Sequence, residues 1–251
     1  MGEALLAGIL AAEWCPPGDV VVVEAAEARR AELSELFPGV TVTDGIVGAD
    51  GTIVATKPAG VPGVVREVVA AGKGRILSIA AGVSVAALED AAGAPVPVIR
   101  AMPNTPSLVG RGAAAIAGGA HAGPEDLDWA EELLSAVGLV VRVDEAAIDA
   151  VTGLSGSGPA YLFLVAEALI DAGVLVGLPR PMAEALAHQT LVGASHMLLE
   201  TGQSAAELRA AVTSPGGTTA AAVQVLEQRG VRAALVDAVT AARDRSQEMG
   251  R

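Results

Sequence analysis

Short runs of Val and Ile alternate with amphipathic stretches through the first part of the chain, the pattern that builds a parallel sheet covered by helices on both faces. The apolar runs predict strands at Val20 to Glu24, Val40 to Thr43, Thr52 to Thr56, Arg75 to Ile79, Pro97 to Ala101, Ala113 to Gly118 and Leu139 to Val143. Helical runs sit between most of them, at Ala4 to Ala12, Glu27 to Phe37, Val61 to Ala71 and Pro124 to Ala136. An uninterrupted run such as the four valines from Val20 suits a sheet buried on both faces. The expected architecture is α/β and doubly wound.

After Asp144 the strand signals stop. Long Ala/Leu-rich stretches follow, punctuated by Gly and Pro: Pro159 to Gly173, Pro181 to Gly202, Ala205 to Val212, Thr218 to Gly230, and Ala233 to the C-terminus. Several are apolar around most of their circumference, so they must pack on each other or on another subunit. The expected division is a dinucleotide-type domain over 1–145 and an all-helical domain over 146–251.

The chain has 251 residues, 52% of them hydrophobic, enough for a sizeable core. Gly, Pro or a charge interrupts every apolar run before the roughly 20 residues of a bilayer crossing. The N-terminal MGEALLAGIL carries an early Glu3 and no basic segment, which argues against a secretory signal and for a cytoplasmic protein. Sixteen basic against 29 acidic residues give a net charge of −13, a poor match for nucleic acid or anionic lipid. The single cysteine, Cys15, excludes an internal disulfide and a multi-Cys zinc site, and reads as an ordinary half-buried thiol. His121 lies in a Gly-rich loop and His188 and His196 on one helix with no carboxylate at metal-ligand spacing, so no metal is expected.

In a doubly wound fold the first strand leads through Gly-x-Gly-x-x-Gly into a helix whose N-terminus holds a pyrophosphate. Gly2 fits the third glycine, whereas no such strand or earlier glycines precede it, so the sheet reads as one whose first strand is missing. Glu24 ends the next predicted strand, about 20 residues on, where an acid takes the ribose hydroxyls of NAD. Arg29 and Arg30 offer the alternative of a 2′-phosphate, and Glu24 has the alternative role of capping the helix that starts near Glu27. Two further strand ends carry compact loops. Ala55 to Pro58 (ATKP) sets a turn with a cation, Lys57, beside Pro58, and Ala80 to Val83 (AAGV), with Ala80 and Ala81, lets backbone approach a ligand. RAMPNTP (Arg100 to Pro106) fixes a turn that can bring Asn104 near a nicotinamide or substrate, or can simply connect strands. SGSGPAY (Ser155 to Tyr161) opens the first helix of the second domain, with Pro159 in its first turn, and suits packing between domains or subunits as well as ligand contact.

SPGGTT (Ser214 to Thr219) is the sharpest feature. Pro215 ends what precedes it, Gly216 and Gly217 allow unusual dihedrals, and Thr218 and Thr219 open the helix AAAVQVLE. Free N–H groups and the positive end of the helix dipole then converge on one spot, suited to a carboxylate, with threonine hydroxyls beside it. A generous N-cap is the plain alternative. GLSGSG carries no Gly-x-Ser-x-Gly nucleophile elbow.

In their order and separation, RAMPNTP, SGSGPAY and LRAAVTSPGGTTAAAVQVLE resemble the pyrroline-5-carboxylate reductase family, a likeness that includes ATKP and SIAAGVS and runs from about Gly2 to the C-terminus. The resemblance implies a Rossmann-type domain, a helical dimerisation domain, and dimers that often assemble further into decamers. It implies reduction of the cyclic imino acid (S)-1-pyrroline-5-carboxylate to L-proline by NADPH or NADH. By position, Ser214, Gly216, Gly217 and Thr218 would hold the substrate carboxylate, and the Thr219 hydroxyl would face the ring nitrogen as the catalytic group. Lys57, Pro58, Ala80, Ala81, Met102 and Asn104 would line the nicotinamide side, with Gly2, Glu24 and Ala55 completing the cofactor set. Another imine or 3-hydroxyacid reductase of the same plan is the alternative, although hydroxyacid dehydrogenases use a lysine in the helical domain and the last lysine here is Lys73. An inactive oligomeric relative with an incomplete cofactor site is a third reading.

Overall fold

The computed structural model describes residues 1–72 and 74–250; Lys73 and Arg251 lie outside them. In chain order the α/β part runs α1 (Gly2–Ala11), β1 (Val21–Val23), α2 (Glu27–Leu36), β2 (Thr41–Thr43), β3 (Gly51–Val54), α3 (Val61–Ala71), β4 (Arg75–Ser78), α4 (Val85–Ala92), β5 (Val98–Met102), β6 (Gly112–Gly118), α5 (Pro124–Ser135), β7 (Gly138–Arg142) and α6 (Ile148–Val151). The helical part follows as α7 (Gly158–Leu175), α8 (Arg180–Glu200), α9 (Ala205–Ala211), α10 (Thr218–Gln228) and α11 (Val231–Met249). Every strand expected from the sequence forms, with ends displaced by two residues at most. Helix α4 is an addition: Ser84 caps it by accepting from Ala87 N at 3.1 Å, and Gly93 ends it in the left-handed region.

The strands β3 to β7 form one sheet in that order. Consecutive residues on a strand point to opposite faces, and the core divides accordingly. Leu77 and Ile99 join Leu5 and Ile9 of α1 and Leu133 and Leu134 of α5 on one face. Their neighbours Ile76 and Val98 join Val61, Val65 and Val68 of α3 and Leu88 of α4 on the other. This is why β4 and β5 read as continuous apolar runs. Both of their faces are covered.

Three features depart from the sequence reading. The sheet is not parallel throughout, because β5 and β6 pair antiparallel. Only a short 3₁₀ turn joins them, whereas a parallel crossover takes about a dozen residues. The strands β1 and β2 form a separate parallel pair, and among the described residues no ladder joins β1 to β3, the gap expected of a sheet whose first strand is missing; what departs is the burial expected of the valine run. Consequently the valine run is not buried: Val21 is 40% and Val23 42% exposed, since the pair lies outside both core clusters. Finally, the helical stretch Glu145–Leu175 is long and apolar enough by composition to cross a membrane, with 6% of its most apolar window buried.

Residues 1–157 and 239–251 form one compact unit, and 158–238 a second. In the second unit α7 packs on α8 through Ile170, Ala183 and Ala187, and an added Cβ at Gly173 would lie 3.0 Å from that of Ala183. Small residues bring these helices close. Much of their remaining apolar surface, including Leu162, Phe163, Leu164 and Leu175, is exposed.

Candidate active site

In the first unit the predicted residues gather at the carboxyl ends of strands. Met1 gives α1 no side-chain cap, so the first-turn N–H groups of that helix lack an intrahelical acceptor. A Cβ on Gly2 would sit 3.0 Å from that of Ala55, so the glycine lets the helix mouth lie against the turn after β3. Lys57 and Pro58 continue this turn and are exposed. At the end of β4, Ser78 is fully buried and its Oγ accepts from Ala80 N at 3.4 Å. Ala80 is buried, Ala81 is half-buried, and Gly82, at φ +74°, would bring a Cβ to 3.1 Å from that of Met249. The end of α11 therefore packs on this loop.

At the end of β5 the structure joins RAMPNTP to SGSGPAY. Asn104 is 8% exposed; its Oδ1 accepts from Ala113 N at 2.9 Å and its Nδ2 donates to Ser155 O at 3.0 Å. The amide fastens the strand-end turn to β6 and to a π-turn over Thr152–Gly156, a form of helix distortion frequent at functional sites. Met102 is half-buried, and a Cβ on Gly156 would come within 2.7 Å of its Cε.

Glu24 stands just beyond β1. Its Oε1 accepts from Ala26 N at 2.9 Å, so it does shape the entry to α2, with the other carboxylate oxygen left for a ligand. Arg30 Nη1 donates to the carbonyls of Glu24 (2.9 Å) and Ala25 (2.7 Å). Arg29 pairs with Glu32 at 2.6 Å and with Glu3. The Glu32 hydrogen bond, then the charge of Glu3, hold the Arg29 guanidinium above its ordinary pKa.

In the second unit SPGGTT forms the mouth of α10. Gly216 has φ +69°, a conformation costly to residues with a Cβ. Gly217 is the N-cap residue, and its N donates to Ser214 O at 3.0 Å. An added Cβ on Gly217 would come within 2.4 Å of Ser214 Oγ, so glycine lets the hydroxyl fold over the turn. No side chain caps α10 and no acid occupies its first turn. The N–H groups of Thr218, Thr219 and Ala220 thus face an anion seat with no internal carboxylate. Ser214 and Thr218 are exposed and Thr219 half-buried.

Sequence reading missed a network around Arg100, which is 6% exposed. Its Nη1 lies 3.1 Å from Glu145 Oε1 and its Nη2 3.7 Å from Asp149 Oδ1. Glu145 Oε1 also accepts from Val85 N at 2.6 Å, and Ser246 Oγ donates to Asp149 Oδ1 at 2.6 Å. The signal was present: an arginine inside the apolar run VPVIRAM needs carboxylate partners. Cys15 is half-buried, and burial followed by the charge of Asp19 pushes its thiol up, away from thiolate reactivity.

Comparison with known proteins adds a scale to these observations. A family model described as pyrroline-5-carboxylate reductase dimerisation matches residues 145–249. The pyrroline-5-carboxylate reductase of Corynebacterium melassecola is 44% identical over 259 residues, spanning 100% of this chain and 96% of the relative. A solved pyrroline-5-carboxylate reductase from Coxiella burnetii superposes with TM-score 0.93 at 36% identity, covering 100% of this chain and 95% of that one. The Plasmodium falciparum pyrroline carboxylate reductase, solved with NADP bound, gives TM-score 0.85 at 27% identity over 100% and 95% of the two chains.

Proposed function

The chain belongs to the pyrroline-5-carboxylate reductase family, and from that premise we propose that it reduces 1-pyrroline-5-carboxylate to L-proline with NADPH or NADH, in proline biosynthesis. The observation that carries this reading is the anion seat at the mouth of α10, with two glycines shaped for backbone approach and no acid in its first turn. Ser214, Gly216, Gly217 and Thr218 hold the substrate carboxylate there. Each charge-assisted hydrogen bond from such a group contributes about 1.5–3 kcal/mol. Thr219, in the same turn, hydrogen-bonds the ring nitrogen with its hydroxyl as that nitrogen becomes an amine. The proton comes from water or from substrate protonated before binding.

The first unit fits a dinucleotide. The glycine at the mouth of α1 leaves room that a Cβ would fill, the first-turn N–H groups suit a pyrophosphate, and Glu24 keeps one carboxylate oxygen for ribose. When bound, the reduced nicotinamide supplies a hydride. Ala55, Lys57, Pro58, Ala80, Ala81, Met102 and Asn104 shape its seat, Asn104 by holding the turn through its two backbone bonds. An imine carbon is already electrophilic, so alignment provides most of the acceleration and no acid–base pair is required.

We assign 1–145 to cofactor binding and 146–251 to substrate binding and to homodimerisation, with decamers as the larger assembly. The family-model match over 145–249 and the exposed apolar side chains of α7 support this division. The partner is a small molecule rather than nucleic acid or membrane, and the location is cytoplasmic. The test is NAD(P)H oxidation in the presence of pyrroline-5-carboxylate, with Thr219→Ala alongside. Turnover should fall at least about tenfold in the variant, with its thermal midpoint unchanged. Absence of oxidation, beside an active relative assayed in parallel, sinks the function, and unchanged kinetics in the variant removes the role of Thr219.

A further inference from the structure

NADH and NADPH differ only at the adenosine 2′ position, a hydroxyl in one and a phosphate of about two negative charges in the other. On a doubly wound sheet that position falls at the end of the strand following the pyrophosphate helix, where an acid receives the ribose hydroxyls or an arginine receives the phosphate. This chain has both residue types there. What each is doing decides between them.

Arg30 is engaged by the main chain. Its Nη1 donates to the Glu24 and Ala25 carbonyls, and its Nη2 lies 4.0 Å from Asp44. Both Nη1 hydrogens are thus spent on the turn that carries Glu24, and a phosphate approaching the remaining Nη2 edge would meet the Asp44 carboxylate beside it. Arg29 is engaged by Glu32 and by Glu3 of α1. Glu24 differs from both: it is half-buried, and one carboxylate oxygen, bonded to Ala26 N at 2.9 Å, fixes the side chain while the other remains for a ligand. Including Glu27, which opens α2, this corner sets five carboxylates (Glu3, Glu24, Glu27, Glu32 and Asp44) against two guanidiniums.

We infer that Glu24 makes this chain select NADH over NADPH, accepting the ribose hydroxyls and repelling a 2′-phosphate, with Arg30 as the positioning residue that holds its turn. The inference rests on the dinucleotide reading of the first unit. It is independent of which imine is reduced.

The test is equilibrium titration of the full chain with NADH and with NADPH, followed by nicotinamide fluorescence without substrate. NADH should bind at least about tenfold more tightly, the effect of one unfavourable charge pair of about 1.4 kcal/mol in partly solvated surroundings. Glu24→Gln keeps the amide oxygen for the Ala26 bond and removes the charge. In it the ratio should contract to within about threefold, chiefly by tighter NADPH binding, with an unchanged circular dichroism spectrum. Glu27→Gln should leave the ratio intact. Equal or tighter NADPH binding by the wild type, an unchanged ratio in Glu24→Gln, an equal response in Glu27→Gln, or no binding of either dinucleotide overturns the inference. NADH preference without imine turnover would remove the proposed reaction and leave Glu24 its role; imine turnover with NADPH preference would do the reverse.

Discussion

Removing the Arg100 guanidinium should loosen at once two supports of the Ala80 to Ser84 loop, which is proposed to seat the cofactor. Arg100→Met keeps an unbranched chain of similar length in the same space and leaves Glu145 and Asp149 facing a site with no cation. Loss of one partner from a fully buried ion pair costs about 3–5 kcal/mol. Here the Arg100 side chain is 8% exposed but those of Glu145 and Asp149 are 33% and 23% exposed, so water recovers part of their solvation. The expected loss is therefore about 2–3 kcal/mol. For a unit of roughly 150–250 residues, that corresponds to a fall in thermal midpoint of about 5–10 °C. Calorimetry or circular dichroism of the purified variant measures it. The variant carrying Glu145→Gln and Asp149→Asn as well should recover at least half, because neutral amides need no cation and their oxygens still accept from Val85 N and Ser246 Oγ. Since Val85 directly follows the Ala80 to Ser84 loop and Ser246 lies on the helix whose Met249 packs against Gly82, dinucleotide affinity should fall with stability. A midpoint change under about 2 °C, or a triple variant no more stable than Arg100→Met, would show that the network does not hold these elements.

Two smaller perturbations separate shape from chemistry. Gly216→Ala places a Cβ at φ +69°, a cost of about 1–2 kcal/mol, whereas Gly217→Ala, at an ordinary extended φ, asks that Ser214 Oγ rotate away and that the Ser214 carbonyl, 3.2 Å from the new Cβ, give slightly. The first should lower the thermal midpoint and the second chiefly raise KM for the carboxylate substrate; the opposite pattern would refute the assigned geometry. At α9, bonds from Ser204 Oγ and then from its backbone N hold the Glu207 carboxyl below the ordinary glutamate range. That stabilisation is fully present above the unfolded value and disappears as pH falls through the lowered folded value. The midpoint difference between wild type and Ser204→Ala should accordingly be larger near pH 7 than near about pH 3, and a pH-independent difference would refute it.

The strands were legible because β4 and β5 are covered on both faces, and two-sided burial leaves an unbroken apolar run that few other structures produce. The same signal misled at Val21 and Val23, since composition records what a strand can bury and not whether a neighbouring strand is laddered beside it. Direction was legible in principle from loop length: the short link after Met102 forbids a crossover. Within the site, SPGGTT was readable because Gly216 takes a left-handed φ that favours glycine and Gly217 leaves the space that Ser214 Oγ occupies. The engagement of Asn104 was not. Its partners Ala113 N and Ser155 O are main-chain groups, which leave no mark on residue identity. Arg30 is hidden for the same reason, its acceptors being the carbonyls of Glu24 and Ala25.

The exposed apolar side chains of α7 can be covered by a bilayer or by another protein surface, and the charges on that helix bear on the choice. Glu167 and Asp171 lie one turn apart near the middle of that helix, and Asp171 Oδ1 binds Arg180 Nη2 at 2.7 Å. A carboxylate at the centre of a membrane helix costs about 2.5–3.5 kcal/mol on insertion scales. Two of them would offset much of what the leucines gain. In an interface between copies the same carboxylates can stay at a wet rim while the apolar positions meet. Burying what remains exposed of Leu162 (58%), Phe163 (64%), Leu164 (66%) and Leu175 (86%), at about 1.5–3 kcal/mol for a full burial, contributes roughly 4–8 kcal/mol per copy before the cost of association. The two carboxylates of α7 thus favour the proposed association of subunits over a bilayer as the cover for its apolar side chains.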